Sequence, residues 1–217
     1  MKSKLSQKVA IAGGLALVSP LFMAQNCNNP NCQTGVVINE IMYNPAASDD
    51  ANGEFVELFN ANEDGCEPID ITGWTLGDRQ EPTNTNLVSG NTLLESGDTY
   101  LAVRSGTSLN NGGIIRVDTT FTFRLANPGF ADRTNGEDSI VLTDAAGVLV
   151  DQVDYVAPYA AGSAPWPYCV HPSTPDANAA GVSIQRFSPD GASNDGANWL
   201  CSTTPYGDGD LGTPNAN

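Results

Sequence analysis

Apolar and polar residues alternate along this chain in short runs, and no window sustains the i, i+3, i+4 apolar spacing of a capped helix. Val36–Tyr43 (VVINEIMY) is the first run, and Glu54–Asn60 (EFVELFN) is the second. In the second, Phe55 and Leu58 are expected under partial cover, with Glu54 and Glu57 at the solvent edge. Ile69–Leu76 (IDITGWTL) follows, with Trp74 as a bulky core anchor. Leu87–Leu94, Thr99–Arg104, Ile114–Thr119, Ser139–Thr143, Val148–Tyr155 and Val182–Phe187 complete the set. Turn chemistry separates them: Ser96-Gly97-Asp98, Asn110 through Gly113, Asn135-Gly136, and Asp144 through Gly147. The last of these, between SIVLT and VLVDQVDY, predicts an antiparallel hairpin. Short strands at short intervals predict an all-β sandwich or barrel with very little helix.

The 217 residues allow one domain, or at most two small ones. Met1–Lys8 carries three lysines, and the apolar run Val9–Ala24 follows at once. That layout predicts a signal peptide over residues 1–24, cut before Gln25, although Phe22 is larger than signal peptidase prefers at that place. Gly13, Gly14 and Pro20 make the run too short and interrupted to span a bilayer. Residues 25–35 form a polar leader with Cys27 and Cys32, and residues 36–217 form the domain. Within it, residues 157–180 are rich in Pro, Ala and Ser and are expected to be irregular.

The formal charge is −16, and removing the three leader lysines leaves six arginines against 25 acids, 6 − 25 = −19. Such a chain repels phosphate backbones and anionic lipid headgroups, and its arginines form no basic stripe, so neither nucleic acid nor a membrane is an expected partner. One histidine, His171, excludes sites that need two, and it is expected to sit solvated in a loop. The five cysteines suit an exported protein, secreted or periplasmic, and allow 15 ways of forming two bridges. Cys169 and Cys201 each adjoin an aromatic anchor, Trp166 and Trp199, and are expected to bridge; Cys27 and Cys32, close in sequence, are expected to form the second pair.

The chain also resembles a known family. Residues 36–60 read V-V-I-N-E-I-M-Y-N-P, a polar loop, then G-E-F-V-E-L-F-N; Gly73-Trp74-Thr75-Leu76 and Asp78 follow. Near the end come G-V-S-I-Q-R-F, Asn198-Trp199 and G-T-P-N-A-N. The ordered set resembles a bacterial lamin-tail domain over about residues 35–217, which implies an immunoglobulin-like β-sandwich. The ending Gly212-Thr213-Pro214-Asn215 departs from the family's usual further glycine after the proline. No coiled-coil rod precedes the domain in this sequence, so filament assembly is not implied, and no hydrolase domain accompanies it. Asn39, Glu40, Glu54, Glu57, Asn60, Trp74 and Trp199 carry the resemblance, and their expected role is fold maintenance.

Catalytic chemistry finds little support. Glu40, Glu54 and Glu57 lie on expected neighbouring strands, and an acid pair is what glycoside hydrolysis uses, but exposed acids are ordinary in so acidic a chain. No G-x-S-x-G nucleophile motif is present. The expectation is a non-enzymatic secreted module that binds a protein or glycan, or builds the cell surface or matrix. The alternative is an accessory component of a secreted hydrolase or nuclease system. No cofactor is required, and calcium is a candidate ligand, with Asp208 and Asp210 flanking one glycine.

Overall fold

A computed structural model of the chain describes residues 32, 35–46, 53–79, 85–87, 92–104, 116–125, 137–156, 166–167, 169–173, 181–207 and 209–216. Fourteen strands lie among the described residues: β1 Val36–Met42, β2 Phe55–Asn60, β3 Ile69–Asp70, β4 Thr75–Asp78, β5 Thr85–Asn86, β6 Leu93–Leu94 and β7 Thr99–Arg104. The second half supplies β8 Thr119–Phe121, β9 Glu137–Thr143, β10 Leu149–Val156, β11 Ile184–Arg186, β12 Trp199–Cys201, β13 Pro205–Tyr206 and β14 Asp210–Leu211. They build a six-stranded sheet in the order β12-β11-β1-β2-β7-β8 and a four-stranded sheet in the order β10-β9-β4-β5, with two small two-stranded ladders. Residues 1–24, expected to be a signal peptide, and Cys27 lie outside the described residues.

The two large sheets bury one core. From the six-stranded sheet come Ile38, Ile41, Tyr43, Val56, Leu58, Tyr100 and Ala102; from the other come Leu76, Ile140, Leu142, Val153 and Tyr155. Each fully buried large side chain contributes about 1.5–3 kcal/mol relative to exposure. In β1 the core residues change parity, from 36 and 38 to 41 and 43, and the ladder with β2 shows the cause: a bulge between Ile38 and Glu40. The β9–β10 hairpin closes as expected, with the Asp144 carboxylate accepting from the Ala146 and Val148 amides, each at 2.8 Å.

Three expectations are corrected here. Ile69–Leu76 is not one strand: a turn at Thr72-Gly73 divides it into β3 and the start of β4, which join different sheets. Trp74 sits at that turn, half-buried against the core rather than inside it. Phe55 and Leu58 lie on opposite faces of β2, Leu58 in the inter-sheet core and Phe55 in a second apolar cluster with Met42, Leu101 and Val103.

That second cluster explains why all seven residues of β1 are buried. The outer face of the six-stranded sheet is covered by the chain's C-terminal segment. Ser202 N donates to Ser183 O, Ser183 N to Leu211 O, and Leu211 N to Gly181 O, while Tyr206 packs edge-on against Phe55 with ring centroids 6.0 Å apart. Residues 202–207 and 209–216 therefore form a strap across β11, β1 and β2.

Candidate functional site

The acids expected to be exposed are among the fully buried polar groups of the described residues. Glu40, Glu54 and Glu57 are each 0% exposed. Glu40 of β1 stands opposite Glu57 of β2 in the ladder, both on the outer face under the strap. Glu40 accepts from Ser183 Oγ, from Thr213 N at 2.8 Å and from Thr213 Oγ1 at 2.7 Å. Glu57 accepts from Asn39 Nδ2 at 3.2 Å and from Asn215 N at 2.6 Å. Burial pushes the Glu57 carboxyl up to about 8, and the neighbouring Glu40 charge adds to the shift. Burial likewise raises Glu40. Two like charges this close in a dry site disfavour joint ionisation, so the pair retains a proton near neutrality.

Glu54 is spent elsewhere. Its Oε1 pairs with Arg104 Nη1 at 2.9 Å, and its Oε2 accepts from Leu125 N at 3.1 Å, tying β2 and β7 to the segment after β8. The three acids thus serve two separate internal joints and do not converge on an accessible substrate position.

Asn39 and Asn60, which carry the family resemblance, take different places in their strands. Asn60 closes β2, donating to Leu94 O at 2.8 Å and accepting from Asn62 N at 3.2 Å. Asn39 instead occupies the β1 bulge and reaches Glu57. Trp199, buried in the core, tilts against Trp166 with centroids 5.8 Å apart and donates its indole N–H to Ser193 O at 2.9 Å.

A further buried polar joint crosses between the two sheets. Asp151 of β10 accepts from Ile38 N at 2.8 Å, from Arg186 Nη2 at 2.8 Å and from Ser193 Oγ. One carboxylate thereby links β10 of the smaller sheet to β1 and β11 of the larger. The Arg186 side chain is 1% exposed and lies over the Trp199 ring at 5.5 Å. The only sequence trace is a lone acid inside VLVDQVDY and a lone arginine inside VSIQRF.

His171 is buried at 8% exposure, not solvated. Its Nε2 lies 2.7 Å from Gly209 O and its Nδ1 accepts from Ser173 N at 3.1 Å, so neither ring nitrogen is free to act as a base. Nearby, Gly181 adopts φ +78, and a Cβ there would stand 2.8 Å from Asp210 Oδ1 and 2.9 Å from Ala46 Cβ. Gly181→Ala should therefore lose about 1–3 kcal/mol of stability in a denaturant titration. An unchanged midpoint would mean that the strap does not press on this turn.

Asp210 faces inward, its Oδ1 accepting from Ala46 N at 3.0 Å, and Asp208 lies outside the described residues. Among the described residues no three His, Cys, Asp or Glu side chains gather as a metal-binding group. A polar cleft of about 240 Å³ opens beside Asn215, lined by Gly97, Asp98, Thr99 and Arg116. Arg116 is internally engaged there, with Nη2 donating to Thr99 O at 2.6 Å and Nε pairing with Asp118 at 2.9 Å.

The cysteines divide into Cys169–Cys201 and Cys32–Cys66. The second pair replaces the expected Cys27–Cys32 bridge. The fold brings the loop after β2 back beside the residues preceding β1, so Cys66 meets Cys32 across 34 positions of sequence.

Residues 30–157 match the family described as Lamin Tail Domain. The chain belongs to the lamin tail domain family. Its fold is accordingly an immunoglobulin-like sandwich, and the family is one of non-catalytic modules. No curated protein matches the chain. The matched region ends with β10, yet in this lamin tail domain β11, β12 and the strap complete the large sheet and cover its outer face.

Proposed function

We propose that this lamin tail domain is a non-enzymatic module acting outside the cytoplasm, binding a protein or glycan at the cell surface or in the extracellular matrix. The observation that carries the reading is the fate of the acids. Glu40, Glu54 and Glu57, the groups able to run acid–base chemistry, are buried and hydrogen-bonded to the protein's own backbone. Two disulfides fit an oxidising compartment. Among the described residues no helix is long and apolar enough to cross a membrane.

The test pairs an activity screen with a capture experiment. Purified protein should give no turnover on esterase, phosphatase, nuclease and glycosidase substrates. The same folded protein, immobilised, should retain one specific component from surface and culture-fluid fractions. Turnover abolished by a single carboxylate or serine substitution would sink the proposal.

A further inference from the structure

Among the sheet side chains that hold the strap are two acids that face each other, with Gln185 beside them accepting from Thr213 Oγ1 at 3.3 Å. Thr213 binds Glu40 through both N–H and hydroxyl, and Asn215 N binds Glu57. Gly212 is wedged so tightly that a Cβ would stand 2.8 Å from the Tyr206 ring and 3.0 Å from Glu40 Oε1. Beneath the strap lies the apolar patch of Met42, Phe55, Leu101 and Val103, against which Tyr206 packs.

The seal is imperfect in its polar content. Ser202 Oγ, Tyr206 Oη and Asn215 Oδ1 are buried with no hydrogen-bond partner among the described residues. All three belong to the strap. Each forgoes bonds with water that it would regain on opening, which lowers the cost of releasing the strap.

We propose that residues 202–216 are a proton-controlled latch, closed over the Met42–Phe55–Leu101–Val103 patch while the Glu40–Glu57 pair holds a proton and opening locally as the pair ionises. The charged and titratable groups around the pair set the direction. From the strap come Tyr206 and Asp210, and both Asp210 and Glu40 act on the Tyr206 hydroxyl. From the segment before β8 comes Arg116, which draws the Glu57 carboxyl down and is itself paired with Asp118. Among the described residues His171 meets the strap through Gly209 O, at 2.7 Å from its Nε2. The β7 and β11 residues opposite the pair, Leu101 and Gln185, are uncharged.

Closed, Glu57 titrates at about 8; open, it returns to its ordinary value of 4.5. Between these limits the closed form binds more protons than the open one. Rising pH therefore favours opening across pH 4.5–8, and the effect levels off above 8. Below 4.5 the latch is at its tightest with respect to this pair.

Hydrogen exchange of the intact, disulfide-bonded protein, read by mass spectrometry and corrected for intrinsic rates, tests this. The opening constant of the 202–216 peptide should rise by up to about tenfold per pH unit and level off near pH 8. The β9–β10 hairpin should open more rarely throughout. Equal opening constants for strap and hairpin would mean global unfolding and no latch, and a pH-independent strap would equally overturn it. Glu57→Gln should flatten the profile. Arg116→Gln, an exposed change that spares the buried pair, should move the plateau to higher pH. A wild-type profile in either folded variant refutes the mechanism.

Discussion

Asp151→Ala should lose about 3–5 kcal/mol of folding stability, among the largest effects of any single side chain in this domain. Among the described residues Asp151 is the one acid paired with Arg186, the buried cation at the centre of the inter-sheet joint. Its removal strands that cation at a site where burial already lowers the guanidinium's proton affinity. It also leaves the Ile38 amide at the β1 bulge without its acceptor. Ser193 Oγ and the carbonyls of Pro189 and Gly191, at 3.3 and 3.5 Å, cannot neutralise the charge. The double change Asp151→Ala/Arg186→Met should recover much of the loss, because an apolar pair carries no stranded charge. Urea titrations of the three proteins measure both effects. A single-mutant loss under about 1 kcal/mol would mean that water reaches Arg186 and that the joint is not dry.

Reducing the Cys169–Cys201 bridge is the second large effect. The bridge closes 32 positions of sequence and ties the segment around Cys169 to β12, the edge strand that carries Trp199. On the chain-entropy model a loop of that length stabilises by about 3–4 kcal/mol. Cys169→Ala/Cys201→Ala should lower the unfolding midpoint by that amount. The loss should fall first on β12 and the strap beyond it, since Ser202 continues the ladder to Ser183. The Cys32–Cys66 bridge closes 34 positions and should contribute similarly. A non-reducing peptide map should recover both linked pairs. Recovery of a Cys27–Cys32 peptide instead would contradict the structure, and a double variant as stable as wild type would remove the entropic argument.

Much of the architecture was legible from local pattern. β1, β2, β7 and β11 fall within runs marked by alternation and turn residues, and β9 and β10 overlap theirs, because a strand buried on at least one face needs apolar side chains at every second place. Even the β1 bulge leaves a trace, the parity change between Ile38 and Ile41. The short strands β3, β6, β13 and β14 have two residues each, too few for a period to show. They exist because a neighbouring segment arrives to pair with them.

The Cys169–Cys201 pair was suggested by flanking tryptophans, and the structure does stack Trp166 against Trp199 beside it. Cys32–Cys66 had no such local signal. Its partners meet only because β1 and β2 run antiparallel and bring the two loops together.

The acids mark the boundary between the two kinds of information. Alternation along EFVELFN correctly sets Glu57 on the face away from Leu58, and by itself that face reads as solvent. Glu57 is buried because residues 202–216 return over it, with Asn215 arriving from 158 positions away and Thr213 reaching Glu40 from 173. Sequence alone determined the class of fold, the places of the longer strands and the family, since these follow from periodicity and short motifs. Tertiary structure alone decided which faces are wet, which acids are shared with backbone amides and which cysteines meet. Burial and charge coupling depend on which distant segment comes to cover a surface, and neither strand periodicity nor composition carries that distance.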